Sequence, residues 1–191
     1  MRSASELRDV IVGAARSEFA RYGLSGARID RIAKSANASK ERLYAHFGDK
    51  EALFRHVVAA DAAEFFSAVA VRPDAVAEFA GDLYDLAVDK PEHLRMVTWA
   101  RLEGVPLAEP ELDGHSVRER DAAAIAAAQA AGLVDARWEP RQLLVTMFGI
   151  GMAWASWPQH DDTVKAADHA ANRPVVVEAA ARVIAPRADG N

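Results

Sequence analysis

Residues 29–54 read IDRIAKSANASKERLYAHFGDKEALF, and the punctuation inside that stretch decides the fold. Ile29, Ile32, Ala33 and Ala36 recur at helical spacing and predict a short helix. Asn37-Ala38 predicts a tight turn, because Asn tolerates the left-handed conformation that ends a helix. Ser39 stands where it can cap a third short helix reaching about His46, and Gly48 breaks that helix. Asp49 is placed to cap a longer fourth helix with Leu53, Phe54, Val57, Val58, Asp61 and Phe65 along one side. Two short helices joined by a two-residue turn have the geometry of a helix-turn-helix. Helices this short are marginal in water and must be held by packing. Ile29, Ile32, Ala33, Leu43 and Phe47 can supply it, leaving Arg28, Arg31, Lys34, Lys40 and Arg42 outward. Spacing alone fits a helical hairpin with a solvated basic face equally well.

Working outward, Leu7, Val10, Ile11, Ala14, Ala15, Phe19 and Tyr22 predict a first helix that stops at Gly23. The fourth helix should end near Arg72-Pro73, and others should cover Asp74 to about Asp89 and Pro91 to about Gly104. Residues 105–110 read as a loop, and Glu111 to Ala131 as a helix closed by Gly132. Pro140 opens a very apolar helix that Pro158 closes, and Asn172-Arg173-Pro174 opens a last one. No alternating segment of convincing length is present. The expected fold class is all-α, with about nine helices: an N-terminal three-helix unit over residues 1–48 and a C-terminal helical body over 49–191.

Composition agrees. Of 191 residues, 51% are apolar and 27% charged, the profile of a soluble globular chain. No uncharged apolar run is long enough to span a membrane. With no cysteine, disulfides, thiolate metal sites and cysteine nucleophiles are excluded. The first nine residues are too charged for a secretory leader, so a cytoplasmic location is expected. Net charge is −5, yet residues 1–50 carry ten Lys/Arg against six Asp/Glu, and the acidic excess lies beyond them. A basic head on an acidic body is expected where only the head meets nucleic acid.

The order and spacing of Ile32-Ala33, Ser39-Lys40, Leu43-Tyr44-x-His46-Phe47 and Lys50-Glu51-x-Leu53 resemble the N-terminal domain of the TetR family of regulators, across about residues 8–56. The resemblance implies a helix-turn-helix DNA-binding domain followed by a ligand-binding and dimerisation domain. It also implies roles by position. Arg28 would touch phosphate at the start of the second helix. Ser39 and Lys40 would enter the major groove, with Lys40 and Arg42 facing base edges. Tyr44 and His46 would contact phosphate. A lysine at position 50, in the first turn of a helix, opposes the macrodipole, a sign that an incoming phosphate would reverse. Three positions depart from the family pattern. Ala27 stands where Thr commonly caps the second helix, unless Ser25 supplies the cap. Asn37 replaces the usual turn Gly, and Glu41 replaces a small residue, setting a carboxylate near DNA.

In the body, the resemblance implies a homodimer formed by two helices of each subunit. Leu144, Gly151 and Trp154 on the apolar helix, with Val176, Ala180 and Val183 on the last, are the expected interface residues. Phe65, Phe79, Met96, Trp99, Met147 and Phe148 are candidates to line an adaptable apolar pocket, Trp99 foremost, although such side chains at helical spacing equally fit a plain core. An enzyme is not expected. None of the six histidines forms a helix-face ligand pair, and no nucleophile elbow, phosphate loop or dinucleotide fingerprint occurs. His160-Asp161-Asp162 looks chelating but follows Pro158 in a predicted loop, so neither metal nor cofactor is expected. A helical interaction protein is the other alternative. The reading that follows is a repressor that binds a palindromic operator as a homodimer and is released by an unknown small-molecule effector.

Overall fold

The computed structural model describes residues 4–107, 111–112, 114–156 and 166–187. Among these, nine helices form: α1 (Ala4–Gly26), α2 (Ile29–Ser35), α3 (Lys40–Phe47), α4 (Lys50–Ala68), α5 (Val76–Asp89), α6 (Pro91–Leu102), α7 (Val117–Ala130), α8 (Pro140–Ser156) and α9 (Ala166–Ile184). A two-residue antiparallel ladder pairs β1 (Glu111–Leu112) with β2 (His115–Ser116). By contact the chain divides into two compact units, residues 1–64 with 90–108, and residues 65–89 with 109–191.

The first unit is built on α1. Its Ile11, Ala15 and Phe19 are buried with Ile32, Ala33 and Ala36 of α2, Leu43 of α3, and Leu53, Phe54 and Val57 of α4. Phe19 and Phe54 meet edge to face at 5.1 Å, a preferred aromatic geometry. The first helix does break at Gly23, where φ is +65°. A Cβ there would lie 2.7 Å from the Trp99 ring, so glycine meets both a backbone and a packing demand. Trp99 and Met96 of α6 belong to this core, and the Trp99 indole N–H donates to the Ala20 carbonyl at 3.3 Å.

The second unit packs α8 and α9 against α5. Two glycines set the approach. A Cβ at Gly151 of α8 would lie 2.7 Å from the Ala80 carbonyl oxygen, and one at Gly81 of α5 would lie 2.7 Å from Val177. Arg173 of α9 reaches Glu78, Asp82 and Asp85, which share one face of α5, at 3.0, 3.0 and 2.6 Å. The Asp85 bond leads in holding its guanidinium still more firmly protonated than usual.

Three helix boundaries differ from the sequence reading. Residues 111–116 were expected to be helical. Instead Gly114, at φ +76°, turns the short ladder, and Ser116 caps α7 by accepting from the Glu119 N–H at 3.2 Å. Helix α4 ends at Ala68, before Arg72-Pro73. Helix α9 starts upstream of Asn172, with Pro174 inside it. The neighbouring Arg173 is anchored to α5, which offsets the backbone hydrogen bond Pro174 cannot donate.

Gly151→Ala should lower unfolding free energy by about 1–3 kcal/mol, because Ala80 backbone must move. Gly13→Ala, in α1 with open space around it, should instead raise it by about 1 kcal/mol. Urea titrations of the two variants, read by circular dichroism, check both signs.

Candidate nucleic-acid interface

Local backbone chemistry shapes the α2–α3 corner. Asn37 has φ +50°, the left-handed conformation the turn requires. The Ala38 N–H closes the end of α2 on the Ala33 carbonyl at 2.9 Å. Ser39 is extended, and its hydroxyl accepts from the Arg42 N–H at 3.3 Å, capping α3. Gly48, at φ +83°, ends α3, and the Asp49 carboxylate accepts from the Ala52 N–H at 2.6 Å to start α4. Each of these punctuation marks was legible in the sequence.

Neither Ala27 nor Ser25 caps α2, whose N-cap residue, Arg28, makes no side-chain cap. Glu18 of α1 steadies this end instead. Its carboxylate accepts from the Arg28 backbone N–H at 2.8 Å and from the Arg31 guanidinium at 2.7 Å. Arg31 also donates to the Gly26 carbonyl at 3.1 Å and lies 4.4 Å over the Tyr22 ring. Arg31 is therefore a tether rather than an outward-facing cation, and the Glu18 hydrogen bond raises its pKa above the ordinary value.

The side chains expected to read DNA are left out of this packing. Arg28, Ser39, Lys40, Arg42, Tyr44 and His46 are all exposed, Tyr44 at 44%. Lys40 pairs with Asp30 of α2, and that hydrogen bond raises the lysine pKa. Arg28, Lys34 and Arg42 have no ion-pair partner among the described residues. His46 tilts against the Phe47 ring at 6.1 Å while staying exposed. Lys50 is half-buried, with Nζ 3.5 Å from the Ala27 carbonyl, so it also ties the start of α4 to the α1–α2 connection. Glu41 lies exposed among these groups. Hydrogen bonds, from its own N–H first and then Ser39, keep its carboxyl below the usual range, and hence charged.

Comparison with known proteins places this geometry in a family. Residues 11–57 match the model of bacterial regulatory proteins of the tetR family, and residues 75–182 match the tetracyclin repressor-like C-terminal domain. The chain belongs to the TetR family. It is 34% identical over 151 residues to the HTH-type transcriptional repressor SCO4008 of Streptomyces coelicolor, covering 77% of this chain and 75% of that protein. It is 29% identical to the HTH-type transcriptional regulator RutR of Escherichia coli O157:H7, over 84% of this chain and 76% of RutR. The crystal structure of Streptomyces coelicolor SCO4942 superposes with a TM-score of 0.78 at 36% identity, covering 93% of this chain and 97% of that one. TetR proteins are helix-turn-helix transcriptional regulators, which is not an enzyme class. No helix among the described residues is long and apolar enough to cross a membrane.

In the body, the structure distributes the expected residues unevenly. Phe65, Phe79 and Met147 are buried in the second unit, and Phe148 is half-buried there. Phe65, Phe66 and Phe148 form an aromatic triad with centroids 5.5–6.2 Å apart. Met96 and Trp99 are not with them but in the core of the first unit. Of the expected interface residues, Leu144, Gly151, Val176 and Ala180 turn inward and are buried within one chain. Trp154 and Val183 are half-buried, Trp154 meeting the Tyr84 ring edge to face. The outer side of α8 and α9 shows Val145 (68% exposed), Gly149, Ala153, Val175 (53%) and Ala179. His160-Asp161-Asp162 lies outside the described residues.

Ser39→Ala should cost about 1 kcal/mol of stability through loss of the α3 cap. Asn37→Gly should be nearly neutral, whereas Asn37→Val should cost more, because a β-branched residue resists positive φ. Thermal melts of the three variants test this ordering.

Proposed function

We propose that this chain is a ligand-responsive repressor that binds a palindromic operator as a homodimer, reading the major groove with α3. The exposed cluster of Arg28, Ser39, Lys40, Arg42, Tyr44 and His46 around a packed α2–α3 corner carries the reading. Arg42 is the foremost base-reading side chain, since it is exposed and unpaired and its fork can take guanine O6 and N7 together. Lys40 joins it once DNA draws it away from Asp30. Arg28, Tyr44, His46 and Lys50 hold phosphates, and the reading head is residues 1–48, with 49–191 as the regulatory body.

The names of SCO4008 and RutR support regulation, and SCO4008 supports repression in particular. A twofold dimer doubles the contacts of a small head. We assign its interface to the outer stripe of Val145, Gly149, Ala153, Val175 and Ala179, with Trp154 and Val183 at its flank; these side chains are apolar or small and lack the charge that would keep them solvated. An apolar effector would sit near Phe65, Phe79, Met147 and Phe148. Helix α4 starts at the reading head and contributes Phe65 to that group, so an effector that shifts α4 changes the spacing of the two heads. Successive major grooves are about 34–36 Å apart, which makes that spacing decisive. The setting is the cytoplasm, where operator DNA is reached.

Selection of bound duplexes from a random pool should return a two-fold symmetric site, and affinity for it should fall steeply with salt. Asymmetric winners, or salt-independent binding, would refute the reading. Arg42→Ala should cost about 1–3 kcal/mol on the selected site and relax one base position, whereas Arg28→Ala should weaken all sequences alike and reduce the salt slope by about 1. Asp30→Asn, which releases Lys40, should tighten binding by about 2- to 5-fold, the small effect expected of an exposed pair. Val145→Glu should give a monomer in sedimentation and reduce operator affinity by at least about tenfold.

A further inference from the structure

Within the first unit, α4 and α6 bring together three side chains of metal-ligand type. Asp61 and Glu64 stand three residues apart on α4, so both carboxylates project from one face. His93, in the first turn of α6, lies between them, its Nδ1 3.9 Å from Asp61 Oδ1 and its Nε2 3.8 Å from Glu64 Oε1. Asp61 is fully buried and His93 only 5% exposed. Arg16 of α1 engages Asp61 through Oδ1 and Glu64 through Oε2, and Lys90 takes Glu64 Oε1 at 2.8 Å. Two enclosed atoms are left over. Asp61 Oδ2 and His93 Nδ1 have no hydrogen-bond partner, an omission worth about 1–3 kcal/mol for each buried polar group. An unpaired carboxylate oxygen, and an unpaired imidazole nitrogen 3.9 Å from that same carboxylate, suit a Lewis acid.

We propose that Asp61, Glu64 and His93 form a binding site for a first-row divalent metal ion. One ligand atom from each lies within 4.8 Å of the other two. Bonds of about 2.0–2.2 Å to one ion set ligand atoms roughly 3–4 Å apart, so a small contraction closes the site. Arg16 can stay on Asp61 Oδ1 while the unpaired Oδ2 binds the ion, the outer-shell support that ligating carboxylates commonly have. Lys90, a half-exposed side chain, moves to solvent and leaves Glu64 Oε1 to the metal. Two carboxylates and Arg16 then sum to one negative charge, which a dication more than neutralises. One imidazole with two carboxylates is a donor set for Zn²⁺, Co²⁺, Mn²⁺ or Fe²⁺, and the absence of cysteine removes the soft ligand that Cu⁺ prefers. Three protein ligands leave coordination positions for water or an effector donor. The site is distinct from the DNA-reading surface and stands whether or not that surface functions as proposed.

The chelator-treated full-length chain, titrated with Co²⁺ and then Zn²⁺, tests this. Visible absorption of bound Co²⁺ should saturate at one ion per chain, Zn²⁺ should displace it, and the melting temperature should rise with either ion. His93→Gln and Glu64→Gln should each lower affinity at least about tenfold. Glu64 is exposed, so its variant is expected to fold normally and circular dichroism can verify this. Failure to saturate by about 1 mM Co²⁺, an affinity too weak for a built site, would overturn the proposal. Unchanged affinity in either variant would place the ion elsewhere and overturn it equally.

Discussion

Helices of seven and eight residues do not persist in water, so the reading surface depends on the apolar contacts beneath it. Ile32, Ala33, Ala36 and Leu43 are buried against Ile11, Ala15, Phe19 and Phe54. Those contacts fix the angle between α2 and α3, and the angle decides which polar side chains face outward together. Trp99 extends the same core on the α6 side, pressed onto the one backbone position of α1 where only glycine fits. The precision of the polar surface is thus inherited from packing, as binding surfaces on rigid elements generally require.

Charge is then sorted within the basic segment. Arg31 is drawn inward by Glu18, Lys40 is held by Asp30, and Lys50 is directed to the Ala27 carbonyl. Arg28, Lys34 and Arg42 remain exposed. A count of basic residues therefore overstates the number available to a polyanion in the unbound protein. The exposed carboxylates of Asp30 and Glu41 have a second consequence. They lower the local positive potential, which weakens sequence-independent attraction to phosphate more than it weakens directional contacts to bases.

Features legible in the sequence were those encoded locally. Asn37, Ser39, Gly48 and Asp49 each act on backbone groups within three or four residues, so residue type alone revealed them. Gly23 kinks α1, and Gly132 follows the end of α7, for the same reason. Long-range facts were not legible. Met96 and Trp99 looked like body residues by chain position, but their contacts are with α1, some eighty residues earlier. Helix α8 is apolar nearly all round, so periodicity could not say that Leu144 points in while Val145 points out. Two-residue strands carry no period at all, and 111–116 was read as helix in consequence. At α2, the missing cap was supplied by Glu18, a residue ten positions away on another helix.

Asp61 was visible from the start as an acid in the apolar stripe of α4, and the structure makes that position harder to explain by stability alone. Burial, the largest effect, leaves its carboxyl pKa raised although Arg16 and His93 pull it down, so a carboxylate there carries a desolvation cost. Buried ion pairs replaced by well-packed apolar residues of similar volume often lose nothing in stability and can gain. A leucine in the stripe would continue the packing of Val57 and Val58 and would remove the unpaired Oδ2, at the expense of the Arg16 ion pair. The charged cluster also leaves two enclosed polar atoms unpaired, where a network selected for stability would pair them. Stability does not account for Asp61 and His93 facing each other across α4 and α6; a bound cation does.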